Sequence, residues 1–327
     1  MKKIRLSEPF LFFACFLILV LLCILDLCLG SSLIPVSELF SGAPAARNIL
    51  IHIRLPRLLA ALLCGSALSV SGAILQKVLA NPLASPGLMG INAGAGFVIA
   101  LCGAFFPGLW QLTQPGAFLG ALFASLLILV LISRFHSSRL TLVLAGLGLS
   151  QILMGLIDLL ITFFPDALLA YSDFRIGSLA GVTLGRISQS TPWIVGGLIL
   201  ALLFSRQLEL LSLGSSQARA LGLNAKAWSL GLLVLSSLLC GAAISLCGLL
   251  GFVGLLVPQI TSRLPHSSAA SWLGLTILCG SILLILADLL CRMLFIPYEI
   301  PCGILLSLTG GPFFLWLLFH QKWRKAA

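Results

Sequence analysis

Uninterrupted apolar runs of about twenty residues, repeated along the chain, leave this sequence few ways to fold. Stretches such as Phe10–Gly30 and Ala117–Ile132 are long enough to cross a hydrocarbon layer of about 30 Å. A chain in hydrocarbon has no water to satisfy its peptide groups, so only helices or a closed barrel can span it. Barrel strands alternate apolar and polar residues, whereas these Leu-rich runs are continuous. The fold class is therefore an all-α integral membrane protein. Only 9% of residues are charged and 60% are hydrophobic, against about 25% charged in a soluble domain. Such a chain could not cover itself against water.

Turn-rich or charged breaks divide the chain into about ten predicted transmembrane helices. They fall near 10–29, 57–79, 88–107, 115–133, 141–163, 191–206, 228–247, 249–264, 270–291 and 303–320. Gly248, Gly251, Gly254 and Pro258 make the eighth short or broken. The basic start, Met1-Lys-Lys-Ile-Arg5, precedes an apolar run too long for a signal peptide and without a small-residue cleavage site, so it reads as a retained first span. With both termini cytoplasmic, most of the 19 basic residues fall inside, among them Lys2, Lys3, Lys77, Arg206, Arg219 and Lys322. That asymmetry obeys the positive-inside rule. The net charge of +10 is thus a topology signal. It forms no continuous basic stripe, which argues against nucleic acid as a partner.

The segment Cys64–Gly72 (CGSALSVSG) echoes Cys240–Gly248 (CGAAISLCG) at an offset of 176 residues, 240 minus 64, and the same offset carries Pro82 onto Pro258. An odd number of predicted spans separates the two, so the halves read as an inverted repeat, an arrangement that recurs in transporters.

Chemistry-bearing motifs are scarce. The ten cysteines lie mostly inside apolar runs with no CxxC pair, and the four histidines lack ligand spacing. No metal site is expected. There is no phosphate loop, HExxH or GxSxG, so no catalytic residue is expected and the chain is not read as an enzyme. Ionisable residues in or beside the spans are Asp26, Asp158, Asp288 and Glu299. Asp288 and Arg292 stand four apart on one helical face and suit an ion pair, while Asp158 has no obvious partner. An ion-coupled carrier would need more acidic groups at mid-membrane.

Three features remain. Gly65, Ser69 and Gly72 precede Gln76 and the doubly proline-bracketed Asn81-Pro82-Leu-Ala-Ser-Pro86, a close-packing surface beside a stiff corner able to border a passage. The polar stretch 207–226 (QLELLSLGSSQARALGLNAK) reads as two short amphipathic helices across Gly214, and a connector of that length suggests a docking surface. Arg54, Arg57 and Arg292 stand at outer helix ends. They either anchor those ends or form a basic rim for an acidic external protein.

Taken in order, these motifs resemble one family, the FecCD-type permease subunits of binding-protein-dependent ABC importers for iron–siderophore complexes, haem and cobalamin. Arg54-Leu-Pro-Arg57 with Gly65, Gly72, Gln76 and Asn81–Gly90 (NPLASPGLMG) resembles its first signature. Leu213-Gly214 with Ala220-Leu-Gly-Leu-Asn224 resembles its coupling segment. Gly251–Pro258, Ala287-Asp288 with Arg292, Glu299–Gly303 and Gly310-Gly-Pro-Phe-Phe314 resemble its later signatures. The chain departs from the family at Pro258-Gln259, where a histidine and an arginine usually follow the proline, and in the short loop after Arg263.

The resemblance implies a type II ABC importer permease fold, a single permease domain over 1–327, in a bacterial cytoplasmic membrane. It implies pairing with a second permease subunit, as homodimer or heterodimer, in contact with membrane lipid. A separate cytoplasmic ATP-binding subunit would use ATP and Mg, and the chain itself would carry no cofactor. Leu213, Gly214, Ala218, Leu221 and Gly222, within coupling segment 207–226, would seat that subunit. Arg54, Arg57 and Arg292 would meet an extracytoplasmic substrate-binding protein. Gly65, Ser69, Gly72, Gln76, Asn81 and Pro82 would border the translocation path. The implied cargo is an iron chelate, ferric siderophore or haem. A cobalamin importer of the same family and an ion-coupled secondary transporter are the alternatives.

Overall fold

A computed structural model describes residues 7–30, 44–106, 108–135, 139–296 and 298–326. The basic residues Lys2, Lys3 and Arg5 of the orientation argument lie outside them. Among the described residues the structure is entirely helical. Helix α1 is Glu8–Cys28. A short helix, Pro44–Ile49, runs through a π-helical turn, Leu50–Arg54, into α2, Leu55–Val78. A 3-10 turn at Pro86–Met89 precedes α3, Ile91–Phe105, then α4, Thr113–Phe135, and α5, Arg139–Phe163. Next come α6, Asp166–Ile176, α7, Leu184–Leu203, α8, Ser205–Ser212, and α9, Ser215–Ala220. The last four are α10, Ala225–Cys247, α11, Val253–Thr261, α12, Ala269–Met293, and α13, Cys302–Ala326.

Each of the ten expected spans carries a helix, but they are not ten equal crossings. Among the described residues six helices are long and apolar enough to span by themselves, and α7 with α8, bent by 57°, makes a seventh if the pair is one span. Helix α3 is a shorter apolar helix. The eighth interval holds only the nine residues of α11. Its break has a physical cause: Gly248 and Phe252 both stand in the left-handed region (φ 71° and 66°), and Pro258 removes an amide donor from the interior of α11. Two helical pieces escaped the sequence reading, the Pro44–Arg54 lead-in and α6. Both are short and mixed in polarity, so neither produces an apolar run.

The centre of the bundle is α2. In the stretch ending with α2, 83% of its most apolar window is buried, and α10 follows at 78%, whereas α1 and α5 each reach 17%. Those two therefore form the periphery. Small residues allow the central approach. A Cβ on Gly65 would collide with the backbone of Gly280 in α12, and one on Gly72 with the carbonyl of Gly254 in α11. Hydroxyls then bond across the gaps. Ser69 donates to the Thr276 carbonyl at 3.0 Å and Ser281 to that of Leu62 at 3.0 Å. Ser71 and Ser236 exchange bonds between α2 and α10, with their Oγ atoms 2.8 Å apart.

The two echoing segments occupy like places. Each lies on a long central helix, Cys64–Gly72 in the middle of α2 and Cys240–Gly248 at the end of α10, and each helix is followed by a broken stretch. The breaks are strapped together. Gln76 donates to the carbonyls of Leu255 (3.1 Å) and, more weakly, Gly254 (3.4 Å), the latter being the acceptor that Pro258 leaves without its helical donor. Gln259 returns a bond to the carbonyl of Pro82.

Candidate functional site

Helix α2 carries Arg57 near one end and Lys77 near the other, a rise of about 30 Å at 1.5 Å per residue. The arginines and the polar stretch singled out in the sequence gather at these two ends.

At the Arg57 end, six charged groups from five segments meet. Asp288, near the end of α12, is the hub. It accepts from Arg57 Nε through both oxygens (2.9 and 2.8 Å), lies 3.1 Å from Arg292 Nε, and takes the Cys302 thiol at 3.1 Å. Arg57 Nη1 also donates to Glu299 at 2.6 Å. Arg292 pairs with Asp26 and reaches the carbonyls of Asp26 and Leu29. Arg54 donates to the carbonyl of Leu27. Two arginines therefore serve the last turn of α1, where unpaired carbonyls and the helix dipole favour cations.

The three arginines of the expected basic rim stand together, but the chain itself covers them. Arg54, Arg57 and Arg292 are 4–6% exposed, and three carboxylates match the three guanidiniums. Charges facing hydrocarbon would be costly, so the chain pairs them internally. What remains open is a cleft of about 150 Å³ with the three arginines, Glu299 and Gly30 in its wall. The sequence reading found the Asp288–Arg292 pair. It missed Asp26 and Arg57 as their partners, because contacts separated by 231 or more residues leave no local spacing signal.

At the Lys77 end lie the short helices α8 and α9. Leu208 and Leu211 bury α8 against the bundle. Gly214 turns the chain at φ 109°, a conformation open to glycine alone. Ala218 is fully buried beneath α9. The helix then ends in a Schellman motif: Leu223 N donates to the Ala218 carbonyl (3.0 Å) and Gly222 N to that of Arg219 (2.9 Å), with Gly222 at φ 82°. Asn224 caps the start of α10 by accepting from Ala227 N at 3.2 Å. This accounts for the run Leu221-Gly-Leu-Asn224 residue by residue. It leaves Leu213 and Leu221 outward, 52% and 62% exposed. Beside them Lys77 stands 4.8 Å from the ring of Trp272, in the wall of a cleft shared with Glu209 and Leu213.

The residues expected to border a passage divide into two groups. Gly65, Ser69 and Gly72 are buried in the packing of α2 against α11 and α12, where their small size serves helix approach. Gln76 is half-buried and spent on α11, whereas Asn81 and Pro82 reach the surface. Asp158 is exposed on peripheral α5. Among the described residues no cluster of three metal-ligating side chains occurs.

With this geometry in view, comparison with known proteins is decisive. The sequence matches the FecCD transport family over residues 18–320. The chain belongs to the FecCD transport family. Among its relatives in that family is the hemin transport system permease protein HmuU of Yersinia pestis, 39% identical over 84% of each chain. YvrB of Bacillus subtilis, an uncharacterized ABC transporter permease protein, is 34% identical over 91% of this chain and 90% of its own. A Staphylococcus aureus protein named for heme-iron transport, the permease IsdF, is 32% identical over 98% of both. Among solved structures, an inward-facing conformation of a metal-chelate type ABC transporter superposes with a TM-score of 0.85 at 28% identity, over 95% of this chain and 99% of that one. PsaBC from Streptococcus pneumoniae shares the fold at a TM-score of 0.59 and 20% identity, over 86% and 94%. This FecCD-family chain is thus a multi-pass membrane permease of the ABC type.

Proposed function

We propose that this permease carries an iron chelate, haem or a ferric siderophore, inward across the cytoplasmic membrane of a bacterium as one of two membrane subunits of an ABC importer. The observation that carries the reading is the 39% identity to a hemin permease, which extends over 84% of both chains. A separate ATPase subunit supplies ATP hydrolysis with Mg, since the chain holds no phosphate loop. It docks where Leu213 and Leu221 project apolar surface beside Gly214 and Gly222, and Ala218 holds α9 in place beneath. Both termini are cytoplasmic, which puts the Lys77 end inside and the Arg57 end outside, as the basic residues favour.

An external binding protein docks over the cleft of Arg54, Arg57 and Arg292. An incoming carboxylate takes Arg57 from Glu299, whose side chain is 39% exposed and is the outermost acid of the cluster. Asn81 and Pro82 border the passage at the partner-facing surface. Gln76, strapped to α11, ties that border to the broken eighth segment.

The test is uptake by the chain reconstituted in vesicles with its ATPase and binding protein, against a panel of haemin, ferric hydroxamates, ferric citrate and cobalamin. ATP-dependent accumulation of an iron chelate is expected. Accumulation of cobalamin alone reassigns the cargo, and gradient-driven uptake without the ATPase overturns the reading.

A further inference from the structure

A second polar site lies at the Cys247 end of α10, beside the segment 299–302 that joins the Arg57 cluster but built from other side chains. Its frame is stitched backbone. Ser178 N donates to the Cys247 carbonyl (2.9 Å), Leu249 N to that of Phe174 (2.9 Å) and Gly303 N to that of Gly177 (3.0 Å). These bonds fasten the loop after α6 to the end of α10 and the start of α13. Gly177 and Gly248 permit the contact, since a Cβ on either would collide with backbone of the other strand of the frame. Over this frame opens a cavity of about 350 Å³, lined by Asp173, Ser178, Arg186, Ser245, Gly248 and Pro301 among others.

Arg186 is the unusual member. Its Nε donates to Gln114 Oε1 at 3.1 Å. Gln114, 4% exposed, is itself fixed by donating to the Arg186 carbonyl (2.8 Å) and to Ser190 Oγ (2.9 Å). Among the described residues the buried arginines, Arg54, Arg57 and Arg292, are each paired or set on helix carbonyls. Arg186 differs, because among the described residues neither terminal nitrogen has a hydrogen bond or an ion pair. Asp173 lines the same cavity but makes no ion pair with it. A guanidinium oriented from behind, with its two-pronged edge unclaimed in a partly enclosed cavity, suits a carboxylate, which it can bind through two parallel bonds.

We propose that this cavity recognises a carboxylate arm of the transported chelate, with Arg186 as the binding group and Gln114 as its positioning residue. The volume is at the lower end of the range of ligand pockets, enough for an arm and an adjoining edge. Ser178 and Ser245 supply hydroxyls in the wall, and Asp173 selects against a second negative charge. The proposal rests on the import reading above.

The experiment uses the permease assembled with its ATPase in lipid nanodiscs, with haemin, haemin dimethyl ester and ferric citrate as probes. Haemin is expected to bind the native protein about tenfold or more tighter than its ester, as loss of a charge-assisted hydrogen bond implies. Arg186→Gln should remove that difference, and Gln114→Leu should reduce it. Arg186→Lys should keep part of it, and Asp173→Asn should strengthen acid binding, particularly of citrate. An unchanged unfolding temperature in Arg186→Gln is expected and shows that binding, not folding, has been altered. Equal binding of haemin and ester, no binding of either acid, or equal haemin affinity in Arg186→Gln overturns the pocket, while ATP-driven chelate uptake would still uphold import. Ester discrimination without such uptake keeps the pocket and overturns the import reading. Weakened binding-protein docking in Arg186→Gln with haemin affinity intact gives the carboxylate to that protein and also overturns the proposal.

Discussion

The two ends of α2 meet the same problem in opposite ways. At the Arg57 end, charge is turned inward: Arg57 and Arg292 pair with three carboxylates and Arg54 donates to the Leu27 carbonyl, with Asp288 1% exposed. At the Lys77 end, apolar surface is turned outward on Leu213 and Leu221, held by a glycine turn and a Schellman cap. A buried ionic cluster has value only when complete, because the desolvation of each group is offset by its partners. An exposed leucine costs the isolated chain little and gains its value when covered. The first end should therefore control stability, and the second association.

The largest effect tests the first half of that contrast. Asp288→Ala removes the carboxylate that Arg57 and Arg292 share and leaves both Nε edges buried without it, and loss of about 3–5 kcal/mol in unfolding stability is expected, as for other broken buried pairs. Denaturant unfolding in detergent micelles measures it. Leu221→Ser under the same conditions should shift stability by less than about 0.5 kcal/mol. If the two variants unfold alike, the division of labour between the ends is wrong.

How much of this was legible follows from separation along the chain. The Asp288–Arg292 pair was visible, since four residues make one helical neighbour. So were the broken eighth segment, from its glycines and Pro258, and the two helices around Gly214, from their leucine pattern. Arg57 on Asp288 and Arg292 on Asp26 were not, because tertiary packing alone unites α1, α2 and α12. The same blindness hid the carboxylates that surround the arginines, and the approach of Gly65 and Gly72 to Gly280 and Gly254. Gln114 and Arg186 lie 72 residues apart and produced no signal.

Glycine packing yields the next effect in size. Gly72→Ala places a methyl group against the Gly254 carbonyl, and a cost of about 1–3 kcal/mol is expected from overpacking. Gly148→Ala on peripheral α5, where nothing lies within 4 Å, should be neutral or stabilise by up to about 1 kcal/mol through helix propensity. Equal losses would mean that the central approach of α2 to α11 is no tighter than the periphery. At the other end, Leu221→Ser should weaken binding of the ATPase subunit by about 1.5 kcal/mol, the worth of one leucine withdrawn from an apolar contact. Titration of that subunit onto the permease in nanodiscs reads it, and unchanged affinity removes Leu221 from the contact.

The smallest effect sharpens the comparison most, because Glu299 belongs to the buried cluster yet is partly exposed. Its bond to Arg57 is made at the cleft mouth, so solvent screens it, and Glu299→Gln should cost less than about 1 kcal/mol of stability. Asp288 would still hold Arg57 in place through Nε. The Nη1 edge of that guanidinium, however, would lose its charged occupant. If an external acidic side chain docks by taking that edge, Glu299→Gln removes the competitor and should tighten binding-protein docking a few-fold. Rising salt should weaken the gain, since the exchanged contact lies where ions reach it. Should docking instead weaken, Glu299 is itself a contact for the binding protein. The cluster would then resemble the coupling end after all, a surface kept open for a partner.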